Sequence, residues 1–380
     1  MAPGVTTTHS STPYQKGARF RIQSHAPPEP FGGPYRLDPR PVSALPDDVP
    51  TLRVWFALEN PPLETAPPPS VTEHTFTITG TKTLRRVGID RGGAHVVTGY
   101  LDQDEAVQYV AKIYDGLSYP LENQDTDEDF MTLADCDYAV EAWAYKTMQP
   151  APDLVGKIVP GYHGAWTFSV DTHVPGRRRW VRMVLLQLVP GETVFDKILR
   201  ASKDDTLQYD LLPDENFRLR VLKQAFEAEI SIWWDGEVTH GDLEPRNVMV
   251  QSDGSVVIID FDRAVISRFK RHGSHPKYFK DEPRLPLSPI ERYWPCWAPG
   301  GAKFAATEEQ GGPWARWIPQ SWLDNTELAA EWVLKTWGNP LPNKYRPLGD
   351  YFLNHPAHKE RGPRLIAMLE KLGREPAEKE

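Results

Sequence analysis

The sequence predicts an α+β protein of two lobes, the first rich in strands and the second in helices, with a cleft between them. Three observations lead there. From His74 to Pro190 the chain runs in β-branched and alternating stretches bounded by turn residues. From Pro213 onward apolar residues recur every three or four positions, the period of a buried helix face. Between the two patterns stands "PGET" at 190–193, a turn signal of the kind that separates elements.

Residues 1–70 hold fifteen of the 37 prolines and read as a proline-rich, largely disordered extension, with "LRVWFAL" at 52–58 packing as a single element. The first lobe is expected over 71–190. In it "HTFTITGTKTLRRVGI", "AHVVTGYL" (94–101) and "AVQYVAKIY" (106–114) read as strands, the last two joined by the acidic turn "DQDE". "YAVEAWAYKTM" (138–148) puts Val140, Ala144 and Met148 on one helical face. "WTFSV" and "WVRMVLLQLV" form a hairpin whose second strand is apolar enough to be central. The spacing therefore predicts a twisted antiparallel sheet crossed by one helix. The basic run Arg177-Arg178-Arg179 follows "HVPG" and reads as a solvated hairpin tip.

The second lobe is expected over 191–373. "PDENFRLRVLKQAFEAEISIWW" (213–234) carries Leu222, Phe226, Ile230 and Trp233 along one stripe, starts after Pro213-Asp214 and stops at Gly236. "TELAAEWVLKTWG" (326–338) and "PRLIAMLEKLG" (363–373) are two further helices, and 374–380 is a charged tail.

Composition narrows the function. A net charge of −9 argues against a nucleic-acid partner bound through a broad basic face. Two cysteines, Cys136 and Cys296, give neither a disulfide framework nor a zinc motif. The N-terminus lacks the apolar core of a secretory signal, and the longest apolar run, "MVLLQLV" at 183–189, is too short to span a bilayer. A cytoplasmic protein with no membrane partner is expected.

One stretch concentrates polar chemistry: "VTHGDLEPRNVMVQSDGSVVIIDFDRA", 238–264. Asp242 and Asn247 lie five positions apart, and Asp260 ends the short apolar strand "SVVIID". Asp and Asn are common in turns, where they bond their own backbone. Carboxylate and amide oxygens on two nearby loops also suit Mg²⁺, which keeps waters and bridges substrate phosphates. A further carboxylate not needed by the metal could accept a proton from an attacking hydroxyl. Together these are the requirements of phosphoryl transfer.

The stretch resembles the catalytic and metal-binding loops of the protein-kinase-like superfamily, in particular its aminoglycoside phosphotransferase and choline kinase branch, where "H-G-D-L-x-x-x-N" and "I-D-F/W" recur. It is similar in style to uncharacterised fungal kinase-like proteins. The resemblance covers roughly 74–340 and implies a two-lobed kinase-like fold binding ATP and Mg²⁺. It implies Asp242 as the base or hydroxyl-orienting residue, and Asn247 and Asp260 as metal ligands. It implies Lys112 in "YVAKIY" as the phosphate-pairing lysine, held by Glu141 of "AVEAWAY". Glu128 and Asp129 are rivals for the glutamate role. Gly92 and Gly93 of "GIDRGGAHVV" are candidates for covering the phosphates, and the backbone of Gln187, Leu188 and Val189 for facing the adenine.

Departures from the family pattern guide the rest. Gly241 stands where many protein kinases have arginine, and Glu244 where Ser/Thr kinases have lysine. Arg246 is then a candidate for supplying positive charge at the transferred phosphate. His240 reads as support for the loop, and Asp262 either assists a second metal or is a solvated loop residue. Seven of the 13 tryptophans fall between Trp294 and Trp337 and read mostly as core, with one lining the acceptor site. Exchanges at Trp314 or Trp317 are expected to change acceptor preference. The acceptor is expected to be a small-molecule hydroxyl. A protein serine/threonine kinase, a nucleotide-binding pseudokinase and a scaffold built on the proline-rich segment are the alternatives.

Overall fold

A computed structural model describes residues 13–41, 47, 49–68, 70–82, 93–123, 126–203, 206–273, 275, 285–297, 314–338 and 344–346. The chain divides into two compact units: Met1–Lys146, Gly161–Leu188 and Phe269–His272 form the first, and Thr147–Pro160, Val189–Arg268 and Gly273–Glu380 the second. One of the passages from first to second falls between Leu188 and Val189, within the run expected to face the adenine.

The first unit contains, in order, β1 (Arg19–Ser24), α1 (Pro50–Glu59), β2 (Glu73–Lys82), β3 (His95–Leu101) and β4 (Tyr109–Tyr114). After them come a small ladder of β5 (Glu122–Asn123) with β6 (Thr126–Asp129), helix α2 (Phe130–Met148), β7 (Tyr162–Asp171) and β8 (Arg178–Gln187). The expected twisted antiparallel sheet is closed into a barrel in the order β1-β2-β3-β4-β8-β7. Its interior is filled by Ile22, Phe76, Ile78, Ile113, Phe168 and Met183, among others.

Closure depends on the segment read as disordered. β1 pairs with β2 from Arg19↔Thr77 to Gln23↔Glu73, and with β7 through Gln23↔Thr167 and Ser24↔Trp166. Without it β2 and β7 would each present an unpaired edge. In β1 the alternation is short, with only Ile22 fully buried and Phe20 partly so, and it sits inside a proline-rich segment that reads as extended chain. Removing residues 1–24 is expected to lower the melting temperature sharply, because burial of Ile22 alone is worth about 2–5 kcal/mol. Differential scanning calorimetry checks this, and an unchanged transition would rule it out.

Other parts of the same segment pack on α2. Trp143 Nε1 donates to Pro28 O at 2.7 Å, and Arg40 Nε to Thr132 Oγ1 at 2.8 Å. Asp135 accepts from Leu63 N at 2.8 Å, and its burial pushes its carboxyl up to about 6. Helix α2 is longer than its periodicity suggested, because Asp129 caps its first turn by accepting from Met131 N and Thr132 N. Arg179 also departs from expectation. It is buried and grips Asp115 with both terminal nitrogens at 2.5 and 2.6 Å, since strand alternation turns it inward while Arg178 faces out.

The second unit opens with β9 (Glu192–Thr193) and α3 (Val194–Arg200), whose start is a reciprocal cap between Thr193 and Asp196. A ladder of β10 (Ser202–Lys203) with β11 (Thr206–Leu207) follows, then α4 (Glu215–Gly236), β12 (Val238–Thr239), β13 (Val248–Val250), β14 (Val256–Ile258) and β15 (Val265–Ile266). Helices α5 (Pro289–Trp297), α6 (Gln320–Asp324) and α7 (Thr326–Trp337) complete the described part. β9, β13 and β14 form one sheet, and β12 pairs with β15.

Helix α4 stops at Gly236, as expected, and its cap is Glu237, in the left-handed region at φ 56°. Gly236 also serves packing: a Cβ there would sit 2.8 Å from Met148 Cγ and 3.0 Å from Leu154 Cδ1. That contact, and the bond from Ile258 N to Ile158 O at 2.7 Å, draw Thr147–Pro160 into the second unit and not the first. The helix read at 363–373 and the tail at 374–380 lie outside the described residues. No helix among the described residues is long and apolar enough to cross a membrane.

Candidate active site

The acidic stretch folds into two hairpin-like turns of the second unit. β12 delivers the chain to His240, a single 3-10 turn spans Pro245–Asn247, and β13 and β14 run antiparallel with Val248 opposite Ile258. Asn247 O accepts from Ile259 N at 2.9 Å, so the residue before Asp260 is tied to the backbone of Asn247. The two expected metal ligands are thus brought together by one main-chain bond.

His240 joins the same two turns. It is fully buried, its Nε2 donates to Ile259 O at 2.9 Å, and its Nδ1 accepts from Asp242 N at 3.2 Å. This partner set requires the tautomer protonated at Nε2 with a bare Nδ1, which leaves the ring no proton-transfer site. Its face packs edge-on against Phe261, with ring centres 4.6 Å apart.

Between His240 and Asp242, Gly241 has φ 81°. A Cβ there would meet Arg263 O more closely than any real Cβ approaches a carbonyl. Both facts demand glycine. Gly241→Arg is expected to cost about 3 kcal/mol or more, combining left-handed strain with overpacking. Chemical denaturation would measure it, and a loss below about 1 kcal/mol would refute the argument.

The Asp242 carboxylate is held from two sides. Oδ2 accepts from Arg246 Nη2 at 2.8 Å and from Asn247 Nδ2 at 3.0 Å. Asn247 Nδ2 also donates to Asp242 O at 2.8 Å. Both partners are acceptors, so the amide nitrogen of Asn247 must face Asp242 and its Oδ1 is the atom left for other use. Arg246 also pairs with Glu244, so its charge is divided between two carboxylates. With its side chain 40% exposed, its pair with Asp242 contributes about 1 kcal/mol or less to stability and serves mainly to orient.

Asp260 is half-buried and has φ 71°, one of three non-glycine residues with positive φ among those described. Asp tolerates the left-handed region better than most residues, and such strain persists where surrounding structure imposes it. Carboxylate and amide oxygens make a hard donor set that fits Mg²⁺. Among the described residues no group of three or more His, Cys, Asp and Glu gathers at one point. A magnesium ion shared with phosphates and water needs no such group.

In the first unit, Lys112 and Glu141 meet although 29 positions separate them. Lys112 lies on β4 opposite Val184, with Glu141 on α2. Both are buried, and Lys112 Nζ donates to Glu141 Oε2. Tyr114 OH donates to the same oxygen, a partner that sequence reasoning missed although its i+2 position on β4 was available as a signal. The rival Asp129 is occupied in capping α2. Gln187 ends β8 with its side chain accepting from Gly161 N at 3.0 Å, while Val189 opens the second unit. Gly93 is half-buried in irregular chain, and Gly92 lies outside the described residues.

Trp314 and Trp317 are wholly buried, which overturns their expected role in acceptor choice. Trp317 Nε1 donates to Arg218 O at 3.0 Å, and Trp314 Nε1 to Leu243 O at 3.0 Å. Both are core residues because an indole can satisfy its single donor while burying the whole ring.

A comparison with family models adds one match within this stretch. Residues 195–268 match the APH phosphotransferase enzyme family. The match contains Asp242, Arg246, Asn247 and Asp260 and leaves Lys112 and Glu141 outside it. Comparison with curated proteins finds no match.

Proposed function

We propose that the protein is an ATP- and Mg²⁺-dependent phosphotransferase of kinase-like fold, acting on the hydroxyl group of a small molecule. The observation that carries the reading is the Asp242 carboxylate, oriented by Arg246 and Asn247 beside the turn that presents Asp260. In this reading Asp242 aligns the acceptor hydroxyl and takes its proton as the alcohol oxygen bonds to the γ-phosphorus and the bond to the β-phosphate oxygen breaks, releasing ADP. Arg246 limits the build-up of negative charge at that point. Asn247 Oδ1 and the Asp260 carboxylate would hold Mg²⁺, which supplies charge neutralisation on the phosphates when bound. Lys112 pairs with nucleotide phosphates, and Glu141 with Tyr114 fixes its position.

A small-molecule acceptor is favoured by the family match and by Gly241 and Glu244, since the former precludes an arginine and the latter occupies Arg246. The test is incubation of purified protein with Mg·ATP and metabolite pools, reading mass gains of one phosphate by mass spectrometry. ATP-dependent gain on a metabolite supports the reading. Phosphorylation of generic protein substrates with no metabolite turnover would transfer the assignment to a protein kinase, and no turnover at all to a pseudokinase.

A further inference from the structure

The Trp-rich segment has a use that the expected acceptor pocket does not cover. Trp314 lies 71 residues from Leu243 and is completely buried, yet its one polar atom donates to Leu243 O at 3.0 Å. Leu243 stands between Asp242 and Glu244. Its neighbouring carbonyls are satisfied within the loop: Asp242 O accepts from Glu244 N at 2.8 Å and from Asn247 Nδ2, and Glu244 O from Asn247 N at 2.9 Å. Leu243 O is bonded from outside the loop by an indole. Leu243 is half-buried, and a hydrogen bond of this kind contributes about 0.5–1.5 kcal/mol, enough to bias the loop toward one conformation.

The segment bearing Trp314 is itself fastened. Trp317 N and Ile318 N donate to Trp314 O at 2.9 and 3.1 Å, forming a compact turn. Trp317 Nε1 donates to Arg218 O, while Arg218 Nη1 donates to Trp317 O and Ile318 O. The turn is thereby bolted to helix α4, a long element with its own buried face. A rigid helix, a reciprocal Arg–Trp clasp and an indole hydrogen bond form a continuous chain of support ending beside Asp242.

We infer that Trp314 is a positioning residue: it latches the loop that carries Asp242 to helix α4, and so sets where the Asp242 carboxylate stands. Its effect on turnover rests on the phosphotransferase reading above, but the latch itself does not. Misplacing a reacting group by about 1 Å costs roughly 100-fold in rate, so partial release of this loop should be visible in kcat.

The test compares Trp314→Phe with Trp322→Phe in the full-length protein. Trp322 is also a buried indole of this unit, its ring tilted against Trp332 at 5.3 Å between centres, so it controls for lost core volume. The expected result for Trp314→Phe is a fall of about 10-fold or more in kcat, with KM for ATP within about twofold. Hydrogen exchange read by mass spectrometry should accelerate in the peptide 238–250, with little change in 215–236. Trp322→Phe should leave both readouts near wild type. Unchanged exchange at 238–250 in Trp314→Phe, or equal effects of the two substitutions, would overturn the inference. Should Trp314→Phe fail to fold, the sulfur isostere of tryptophan at 314 keeps the ring volume and removes only the donor, and the same readouts decide. If the wild type shows no ATP turnover, the phosphotransferase reading falls, while the exchange experiment still tests the latch.

Discussion

Asp242→Asn is expected to bind nucleotide as tightly as wild type and to lose turnover by about 10²- to 10⁴-fold, the scale of a positioned general base. The substitution is conservative where it matters for folding. Asparagine keeps an oxygen at the position that accepts from Arg246 and from Asn247 Nδ2, so the loop retains the bonds that shape it. What it removes is the negative charge and the ability to accept a proton. Asp242 addresses the acceptor and not the nucleotide, so calorimetric titration with Mg·ATP should be unaffected while steady-state turnover collapses. Arg246 sharpens the expectation, because the variant leaves its charge balanced by Glu244 alone. Near-full turnover in Asp242→Asn would remove Asp242 from the chemistry altogether.

Asp260→Asn is expected to act in the other direction, weakening Mg·ATP binding as well as rate. Loss of a group that merely supports a metal ligand costs about 10- to 100-fold in metal affinity, and loss of a charged ligand should cost at least that. Asparagine is the right replacement because φ at 260 is 71°, a conformation that asparagine tolerates and alanine does not. Stability should therefore change little, which separates loss of the metal from loss of the fold. Titrating wild type and variant with ATP at fixed and zero Mg²⁺ gives the answer. The wild-type advantage should vanish when Mg²⁺ is omitted. Binding of Mg·ATP by Asp260→Asn at wild-type affinity would show that the carboxylate holds no metal.

The local chemistry of the chain was readable to different depths. Helix α7 spans Thr326–Trp337, within a residue of its apolar period, because its stripe and stop signal are adjacent in sequence. The strands β2, β3, β4, β7 and β8 were legible for the same reason, as alternation needs only near neighbours. β1 was not, because its short Phe20–Ile22 alternation lies within a segment whose prolines read as extended chain until its partners are known. Arg179 was misjudged with its neighbours because net charge in a run says nothing about which member the strand pleat turns inward.

The same division runs through the candidate site. Asp242, Asn247 and Asp260 could be found from sequence because loop chemistry concentrates them within nineteen consecutive positions. Glycine at 241 could be noted but not explained, since the reason is the Arg263 carbonyl lying across from it. Short-range order — which segments are strands, which are helices, and which turn carries the acidic and amide groups — follows from residue type and period, both of them properties of neighbours. The closure of the barrel by β1, the grip of Tyr114 on Glu141 and the hold of Trp314 on Leu243 depend on contacts between segments far apart in the chain. Those contacts are chosen by which surfaces can bury one another while nearly all buried polar atoms keep a partner, a condition only the folded chain as a whole can satisfy.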